Sequence, residues 1–216
     1  MLVKDRMTKD PVTVRPETPV LEALNLLRNK RFRRLPVLEG EHLVGIVTDK
    51  DLKDAMPSKA TTLSVWELNY LLAKLMVKDV MARPVITVQA AEPLEQAALL
   101  LQAHKIGGLP VLEGPKLVGI VTVTDVLKAF TEMLGLEAGG VRITLDLPDK
   151  PGALAHAAAA VPPSNIVSVA TVDHQGGVQR VVLRAVGEGV EGVEARLRAA
   201  GHEVVDVRKL EPRALA

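Results

Sequence analysis

The amino-acid sequence predicts a mixed chain, α+β or α/β in class, in which two tandem β-α-β-β-α repeats precede a ferredoxin-like β-α-β-β-α-β domain. The first observation is an internal repeat: residues 77–127 match residues 3–53 at a constant spacing of 74 positions, with 23 identities in 51 positions. The second is that the last third, from residue 141 onward, carries its own alternation of strand and helix patterns. Two copies are too few for a solenoid, so the repeats predict a paired module with pseudo-two-fold symmetry.

Each repeat has the same predicted order of elements. A short strand at residues 12–14 precedes a helix that opens at Pro19, where the missing N–H of proline costs nothing. Two β-rich runs at residues 35–38 and 43–48 form a hairpin, and a second helix begins near Asp49. The apolar face of the first helix has helical spacing in both copies, at Val20, Ala23, Leu24 and Leu27 and again at Leu94, Ala97, Ala98 and Leu101.

The last third has a different order of elements. Strands are predicted at residues 141–145, 165–171, 178–185 and 203–207, and helices after Gly152 and at residues 191–200. Pro162 and Pro163 end the first of these helices, and Gly201 suits the left-handed position after the second. The predicted divisions are repeat 1 at 1–57, an inter-repeat loop and helix at 58–76, repeat 2 at 77–134, a Gly-rich linker at 135–140, the C-terminal domain at 141–210 and a tail at 211–216.

The inter-repeat helix is predicted from Ser64, which opens a capping-box pattern with Glu67, to about Met76. It carries Trp66 and several leucines. We expect it to pack on the repeats or on a partner subunit and to carry no chemistry.

Composition excludes several classes of function. Lys and Arg number 27 against 26 for Asp and Glu, and aromatic residues make up 2%, so a nucleic-acid partner is not expected. The absence of cysteine excludes thiolate metal sites and a cysteine nucleophile. With neither a signal-peptide pattern nor an apolar run of membrane-spanning length, we expect a cytoplasmic protein with no membrane partner.

A duplicated motif is the part of the sequence best suited to chemistry. Residues 45–51 and 119–125 share the order Gly, two apolar residues, Thr, two variable residues and Asp, at a strand-to-helix junction. The helix start and the threonine hydroxyl suit a phosphate, and the aspartate suits the hydroxyls of a ribose. The glycine is expected to let a ligand approach the strand. The alternative is that Thr-x-x-Asp is only a helix capping box, which needs no ligand.

With its preceding Leu-Pro-Val strand, this duplicated motif resembles the CBS domain family, whose tandem pairs form Bateman modules, over about residues 1–133. The resemblance implies clefts between the repeats that bind AMP, ADP, ATP or S-adenosylmethionine. It implies phosphate-side contacts at Thr48 and Thr122 and ribose contacts at Asp51 and Asp125. The implied adenine-side contacts are Val12, Thr13, Val14, Leu35 and Pro36 in repeat 1, and Ile86, Thr87, Leu109 and Pro110 in repeat 2.

The two copies differ in charge just before the Leu-Pro-Val strand. Repeat 1 has Arg33 and Arg34 where repeat 2 has Gly107 and Gly108. We predict that Arg34 faces a ligand phosphate, because Arg suits bidentate phosphate contacts. The alternative is a solvated helix end at which cations are favoured by the helix dipole. If the charge acts on a ligand, the two clefts should not be equivalent.

The C-terminal third resembles the ACT domain over about residues 140–210, on the run 149–154 and the segment 165–168. This resemblance implies an amino-acid site at Asp149, Gly152, Asn165 and Ile166, or dimerisation alone. Two CBS repeats followed by an ACT domain resemble the AcuB-type proteins associated with acetoin utilisation.

The function predicted from these observations is regulatory and non-enzymatic. No catalytic residue, metal site or catalytic cofactor is expected, because the five histidines are scattered and no nucleophile or phosphate-loop motif is present. The expected partners are an adenine nucleotide, an amino acid, a second copy of the chain in a homodimer, and an unidentified protein target. The alternative is a structural scaffold that dimerises without sensing a ligand.

Overall fold

The computed structural model describes residues 1–56, 66, 70 and 73–212. The chain divides into two compact units, Met1–Val126 and Leu127–Ala216. The first unit holds both repeats almost entirely, and the second holds the C-terminal domain. Within the described residues, no helix has the length and apolar character needed to cross a bilayer.

Repeat 1 forms a helix, a β-hairpin and a short second helix. Its elements are a 3₁₀ turn at Val3–Asp5, β1 (Thr8–Lys9), α1 (Val20–Lys30), β2 (Arg34–Glu39), β3 (His42–Thr48) and α2 (Asp49–Asp54). Pro19 is the N-cap of α1, and the four apolar residues predicted for its inner face are all buried. The β2–β3 hairpin turns at Gly40, whose φ of +61° lies in the left-handed region that glycine adopts without strain.

Repeat 2 follows the same plan. Its elements are α3 (Val77–Val80), β4 (Val88–Gln89), α4 (Leu94–Ala103), β5 (Gly108–Glu113), β6 (Lys116–Thr122) and α5 (Val123–Met133). Its sheet has the strand order β1-β6-β5-β4, and β2 and β3 form a separate two-stranded sheet. The predicted helices and hairpins of both repeats are therefore confirmed.

The short strand predicted at the start of each repeat is only partly correct. In repeat 1, residues 12–14 form no strand, and Val14 alone makes a parallel bridge to Val37. In repeat 2 the strand is restricted to Val88–Gln89, so Ile86 and Thr87 precede it. The segments are short because each meets its partner strand over one or two residues before turning into the next helix.

The first residues of each repeat pair with the other repeat. Thr8 in β1 pairs with Ile120 in β6, and at the equivalent positions Ala82 bridges to Ile46 in β3. The backbone N–H of Val3 likewise donates to Glu92 O (2.9 Å), and that of Val77 donates to Thr18 O (2.9 Å). The pseudo-two-fold symmetry predicted from the repeat is therefore present as an exchange of N-terminal segments.

The second unit is a four-stranded antiparallel sheet with helices on one face. Its elements are β7 (Gly140–Pro148), α6 (Ala153–Ala159), β8 (Asn165–Gln175), β9 (Val178–Val186), a 3₁₀ turn at Val190–Gly192, α7 (Val193–Ala199) and β10 (Glu203–Leu210). The strand order is β10-β7-β9-β8, with β8 at one edge. Alternate residues of β7, such as Ile143, Leu145 and Leu147, are fully buried against Ala157 and Leu197 of the helices. The ferredoxin-like prediction is confirmed.

The Gly-rich segment before β7 is held against the sheet of the second unit. Ser168 Oγ donates to Leu134 O (2.9 Å), and Arg184 Nη1 lies 3.4 Å from Gly139 O. A Cβ on Gly135 would lie 3.4 Å from that of Val167. The segment predicted as a plain linker is therefore part of the second unit, and its glycines allow the chain to lie close to β8 and β9.

The predicted inter-repeat helix lies mostly outside the described residues. Trp66, Tyr70, Ala73 and Lys74 are helical. Trp66 and Tyr70 are 86% and 60% exposed.

Candidate functional site

A cavity of about 460 Å³ lies between the two repeats of the first unit. Its lining combines the end of β6 and the start of α5 from repeat 2 with β2 and the segments before it from repeat 1. Four residues predicted as ligand contacts line it: Val12, Arg34, Pro36 and Thr122. We call this cavity, defined by those four residues, the Thr122 cleft.

The threonine and aspartate of the motif form one hydrogen-bonded unit beside this cleft. Asp125 Oδ2 accepts from the backbone N–H of Thr122 (2.8 Å) and from its hydroxyl (2.6 Å), while Thr122 Oγ1 lies 3.4 Å from the Asp125 N–H. This is a capping box, the alternative that the sequence left open. Both groups are half-buried, and among the described residues Oδ1 of Asp125 makes no hydrogen bond. One carboxylate oxygen therefore holds the start of α5, and Asp125 itself does not belong to the lining of the cleft.

Repeat 1 contains the same unit. Thr48 donates to Asp51 Oδ2 from its N–H (2.8 Å) and its hydroxyl (2.7 Å). Ile86 and Pro110 occupy the positions equivalent to Val12 and Pro36, 74 residues further along the chain. None of these four residues lines the Thr122 cleft. We call these four residues, which are grouped by their equivalence in sequence, the Thr48 site.

Arg34 lies where the two repeats meet. Its backbone pairs with Thr48, and its guanidinium extends over Gly107 and Gly108 at the start of β5. A Cβ placed on Gly107 would lie 2.6 Å from Nη2, and one on Gly108 would lie 2.9 Å from Cζ. The glycines of repeat 2 therefore make room for the arginine of repeat 1.

The environment of Arg34 leaves its charge uncompensated. Partial burial lowers the pKa of the guanidinium below its ordinary value, and the nearby charge of Arg33 lowers that pKa further. Across the part of the chain that the structure describes, no carboxylate forms an ion pair with Arg34. A partly desolvated cation without a counter-ion is stabilised by an anion that enters the cleft.

Several other predicted contacts lie away from the cleft. Val14, Leu35 and Leu109 are buried in the apolar core of the first unit, because alternate residues of a strand face opposite sides and these face inward. Thr13 lines a separate cavity of about 730 Å³ in repeat 1, and Thr87 lines one of about 450 Å³ beside the β2–β3 hairpin. None of these five residues lines the Thr122 cleft, and their assignment as ligand contacts stays a prediction.

The glycine of the motif has a different purpose from the one predicted. A Cβ on Gly119 would lie 2.9 Å from Cγ of Met7 and would collide with its sulfur. Gly45 stands in the same relation to Met81. The glycines therefore admit a methionine from the exchanged N-terminal segment, and the expectation that they admit a ligand is corrected.

The four residues predicted as an amino-acid site in the second unit have different surroundings. Asp149 Oδ2 lies 2.6 Å from His174 Nε2, and Gly152 has a φ of +86° with open space around its Cα. Asn165 is exposed at the start of β8, whereas Ile166 packs against the core. A cavity of about 330 Å³ in this unit is lined by Asp146, Asp173, Val178 and Arg180 instead.

Two family profiles match the chain. The CBS domain profile matches residues 3–58 and 77–132, and the TTHA0829-like ACT domain profile matches residues 139–208. The two CBS matches together cover more than half of the chain. The chain belongs to the CBS-domain family. Its repeats are CBS repeats, and its second unit is an ACT-like domain.

Solved CBS pairs share the fold of the first unit. The CBS pair of protein MJ0100, in complex with 5′-methylthioadenosine and S-adenosyl-L-methionine, is 30% identical, with a TM-score of 0.51 over 61% of this chain and 97% of that one. The protein CBSX2 in complex with AMP is 36% identical, with a TM-score of 0.50 over 61% and 96%. A Vibrio cholerae protein assigned to acetoin utilisation (AcuB) is 29% identical, with a TM-score of 0.52 over 64% and 96%.

Among curated proteins, the L-aspartate semialdehyde sulfurtransferase of Methanocaldococcus jannaschii is 31% identical over 132 residues, 60% of this chain. The match spans only 23% of that enzyme. A CBS domain-containing protein of Dictyostelium discoideum is 32% identical over 62% of this chain and 94% of its own length. CBS repeats thus occur both within an enzyme and as most of a protein.

The sequence missed part of the cleft between the CBS repeats. Its lining also includes Thr8, Pro11, Phe32, Ile120 and Thr124. Thr8 reaches the cleft because β1 pairs with β6 of the other repeat, a contact that no local pattern reveals. Ile120 and Thr124 lie within the motif at 119–125, each two residues from Thr122, so the motif itself was the available signal for them.

No group of three or more His, Cys, Asp or Glu side chains is placed to hold a metal ion within the described ranges.

Proposed function

We propose that this chain is a non-enzymatic regulatory protein whose CBS pair binds an adenine nucleotide. The observation that carries the proposal is the Thr122 cleft, a cavity of about 460 Å³ that unites Thr122 with Val12, Arg34 and Pro36 of the other repeat. Pockets of a few hundred Å³ with apolar walls and a few polar groups suit ligands of nucleotide size. Two of the solved structures named above are complexes, CBSX2 with AMP and the CBS pair of MJ0100 with S-adenosyl-L-methionine and 5′-methylthioadenosine, which supports an adenosine ligand here.

The parts of such a ligand have matching groups in the cleft or directly beside it. Asp125 follows the lining residue Thr124 in the chain, and its Oδ1 is the proposed acceptor for ribose hydroxyls. Val12, Pro36 and Ile120 offer apolar contact to adenine. The start of α5 and the charge of Arg34 favour phosphate.

Calorimetry with AMP, ADP, ATP and S-adenosylmethionine tests the proposal. We expect at least one of these ligands to bind wild-type protein and Asp125→Ala to weaken that binding by about tenfold or more, since each charge-assisted hydrogen bond contributes about 1.5–3 kcal/mol. Asp51→Ala reports on the Thr48 site in the same way.

Asp79→Ala is the matched control. Asp79 Oδ2 accepts from the Met76 N–H (2.9 Å) at the start of α3, so its removal costs a helix cap outside the Thr122 cleft. If Asp125→Ala and Asp79→Ala lower stability alike and both leave affinity unchanged, the motif is only a cap. If no adenosine ligand binds wild-type protein at all, the structural scaffold is the better account.

We further propose that the ACT-like domain senses an amino acid near Gly152, where the left-handed backbone leaves open space. Binding at the two domains would then be coupled by population shift, and each ligand would change the affinity of the other by the same factor. Equal AMP affinities with and without each of the twenty amino acids at saturation would contradict this coupling.

We propose that the chain is a cytoplasmic homodimer that regulates an unidentified protein target. The proposed pathway is acetoin utilisation. The edge strand β8 supports self-association, because Val167, Val169 and Val172 are 38%, 41% and 62% exposed along it. Sedimentation of wild-type protein and Val169→Glu tests this, and a monomer in both would contradict it.

A further inference from the structure

The charge of the two nucleotide positions is unequal. Three arginines, Arg31, Arg33 and Arg34, line the Thr122 cleft, and among the described residues no carboxylate belongs to its lining. The positions equivalent to these arginines in repeat 2 are Lys105, Gly107 and Gly108. Both repeats therefore carry the motif, but most of the cationic side chains before the Leu-Pro-Val strand belong to repeat 1.

The charge at the start of the helix after each motif differs in the same direction. At the Thr122 cleft the first residue of α5 is Val123, whereas the first residue of α2 at the Thr48 site is Asp49. The Asp49 carboxylate is paired with Lys53 (2.6 Å) and is 37% exposed. Both helix starts carry the motif aspartate, Asp51 or Asp125, but a phosphate that approached the start of α2 would meet Asp49 as a second carboxylate, while the equivalent residue of α5 is the uncharged Val123.

Arg34 lies between the two motif threonines, Thr48 and Thr122. Its backbone is the strand partner of Thr48, and its guanidinium covers Gly108, the strand partner of Thr122. A side chain on Gly108 would have to displace the guanidinium of Arg34 from its present position, since even a Cβ there would lie 2.9 Å from Cζ. One guanidinium can neutralise one phosphate at a time.

We propose that Arg34 makes the CBS pair bind one phosphorylated adenosine ligand per chain, in the Thr122 cleft, while the Thr48 site discriminates against phosphate. The inference rests on the proposed nucleotide binding and deepens it by naming the class of ligand that each position accepts. Arg34 is the specificity-determining residue, because it is partly buried, has no carboxylate partner among the described residues and lines the cleft.

Titration calorimetry with AMP and adenosine, which differ only in the phosphate, tests this on the full chain. Wild-type protein should bind one AMP per chain, about tenfold or more tighter than adenosine in the same cleft, as a charge-assisted contact implies. Raised ionic strength should weaken AMP binding and leave adenosine binding nearly unchanged.

Arg34→Gln should remove most of the preference for AMP while adenosine affinity stays within about twofold, and Arg34→Lys should retain part of it. Arg28→Gln, an exposed arginine of α1 outside the cleft, is the matched control and should leave the preference intact. Thermal unfolding of each variant shows whether it folds.

Two equal AMP sites per chain, or an unchanged preference in folded Arg34→Gln, would overturn the inference while leaving nucleotide binding intact. Absence of binding by adenosine and by all of AMP, ADP, ATP and S-adenosylmethionine would instead remove the proposed function on which it rests.

Discussion

At Gly119 a hydrogen atom stands where a side chain would collide with the thioether of Met7. The N-terminal segment that carries Met7 pairs with β6 through the neighbouring Thr8. Glycine is therefore required at this motif position because the two repeats pack together here.

Gly119→Ala should lower the free energy of unfolding by about 1–3 kcal/mol, the usual cost of overpacking. Urea denaturation measures it. In a Met7→Ala background the same substitution should cost less, because the methionine no longer occupies the space. An identical cost in both backgrounds would show that Met7 is not the cause.

The ion pair between Asp146 and Arg180 gives the ACT-like domain a dependence on pH. These residues face each other across β7 and β9, with two hydrogen bonds of 2.7 and 2.6 Å. The hydrogen bonds from Arg180 hold the pKa of the Asp146 carboxyl below its ordinary value of 3.8. Because the folded-state pKa is depressed, the pair stabilises the fold above pH 3.8, and this contribution is lost as pH falls through the folded pKa.

Asp146→Asn should therefore lower the urea midpoint at neutral pH, and the difference from wild type should shrink as the pH falls below 3.8. Glu137→Gln, which removes an exposed carboxylate of the same unit, is the control and should show little effect at either pH. A difference that persists unchanged in acid would mean that Asp146 acts through something other than its charge.

At the scale of elements, local patterns predicted helices and hairpins well and non-local pairings poorly. The apolar spacing of α1 and the turn at Gly40 are properties of neighbouring residues, so the sequence displays them. The pairing of Thr8 with Ile120 joins residues far apart in the chain, and the sequence gives no sign of it. The same limit explains why Val12 was predicted as a contact only through family resemblance, whereas Thr122 was also predicted from its local motif.

Site residues on strands show a second limit. Alternation correctly predicts that one residue of a strand faces inward and the next outward, but not which side the ligand occupies. Arg34 lines the cleft, whereas its neighbour Leu35 is fully buried.

The segment before β7 is an element whose attachment can be tested. Ser168→Ala removes the donor to Leu134 O and should raise hydrogen exchange across residues 134–139, at a cost of about 0.5–1.5 kcal/mol for the lost bond. Thr171→Ala, which changes another hydroxyl on β8, should leave that segment protected. Unchanged exchange in Ser168→Ala would show that the glycine contacts alone hold the segment.

At the scale of the whole molecule, α5 is the one described helix that belongs to both compact units. It begins at Val123, directly after Thr122 in the first unit, and continues to Met133 in the second. A ligand that orders the start of this helix acts on an element whose end leads into the segment held by Ser168.

Saturating AMP should therefore lower hydrogen exchange beyond Val126, in residues 127–139, as well as around Thr122 and Arg34. Exchange mass spectrometry of the full chain measures both regions in one experiment, and Arg34→Gln at the same AMP concentration serves as the comparison. Protection that stops at Val126 would confine the ligand's effect to the CBS pair.

The exchange of N-terminal segments makes each repeat depend on the other. The backbone N–H of Val3 donates to Glu92 O, and that of Val77 donates to Thr18 O. A repeat expressed alone would leave its share of these backbone groups without their partners, and exchange with a second copy would restore them. In the tandem chain the same pairing forms within one polypeptide, so it does not depend on protein concentration.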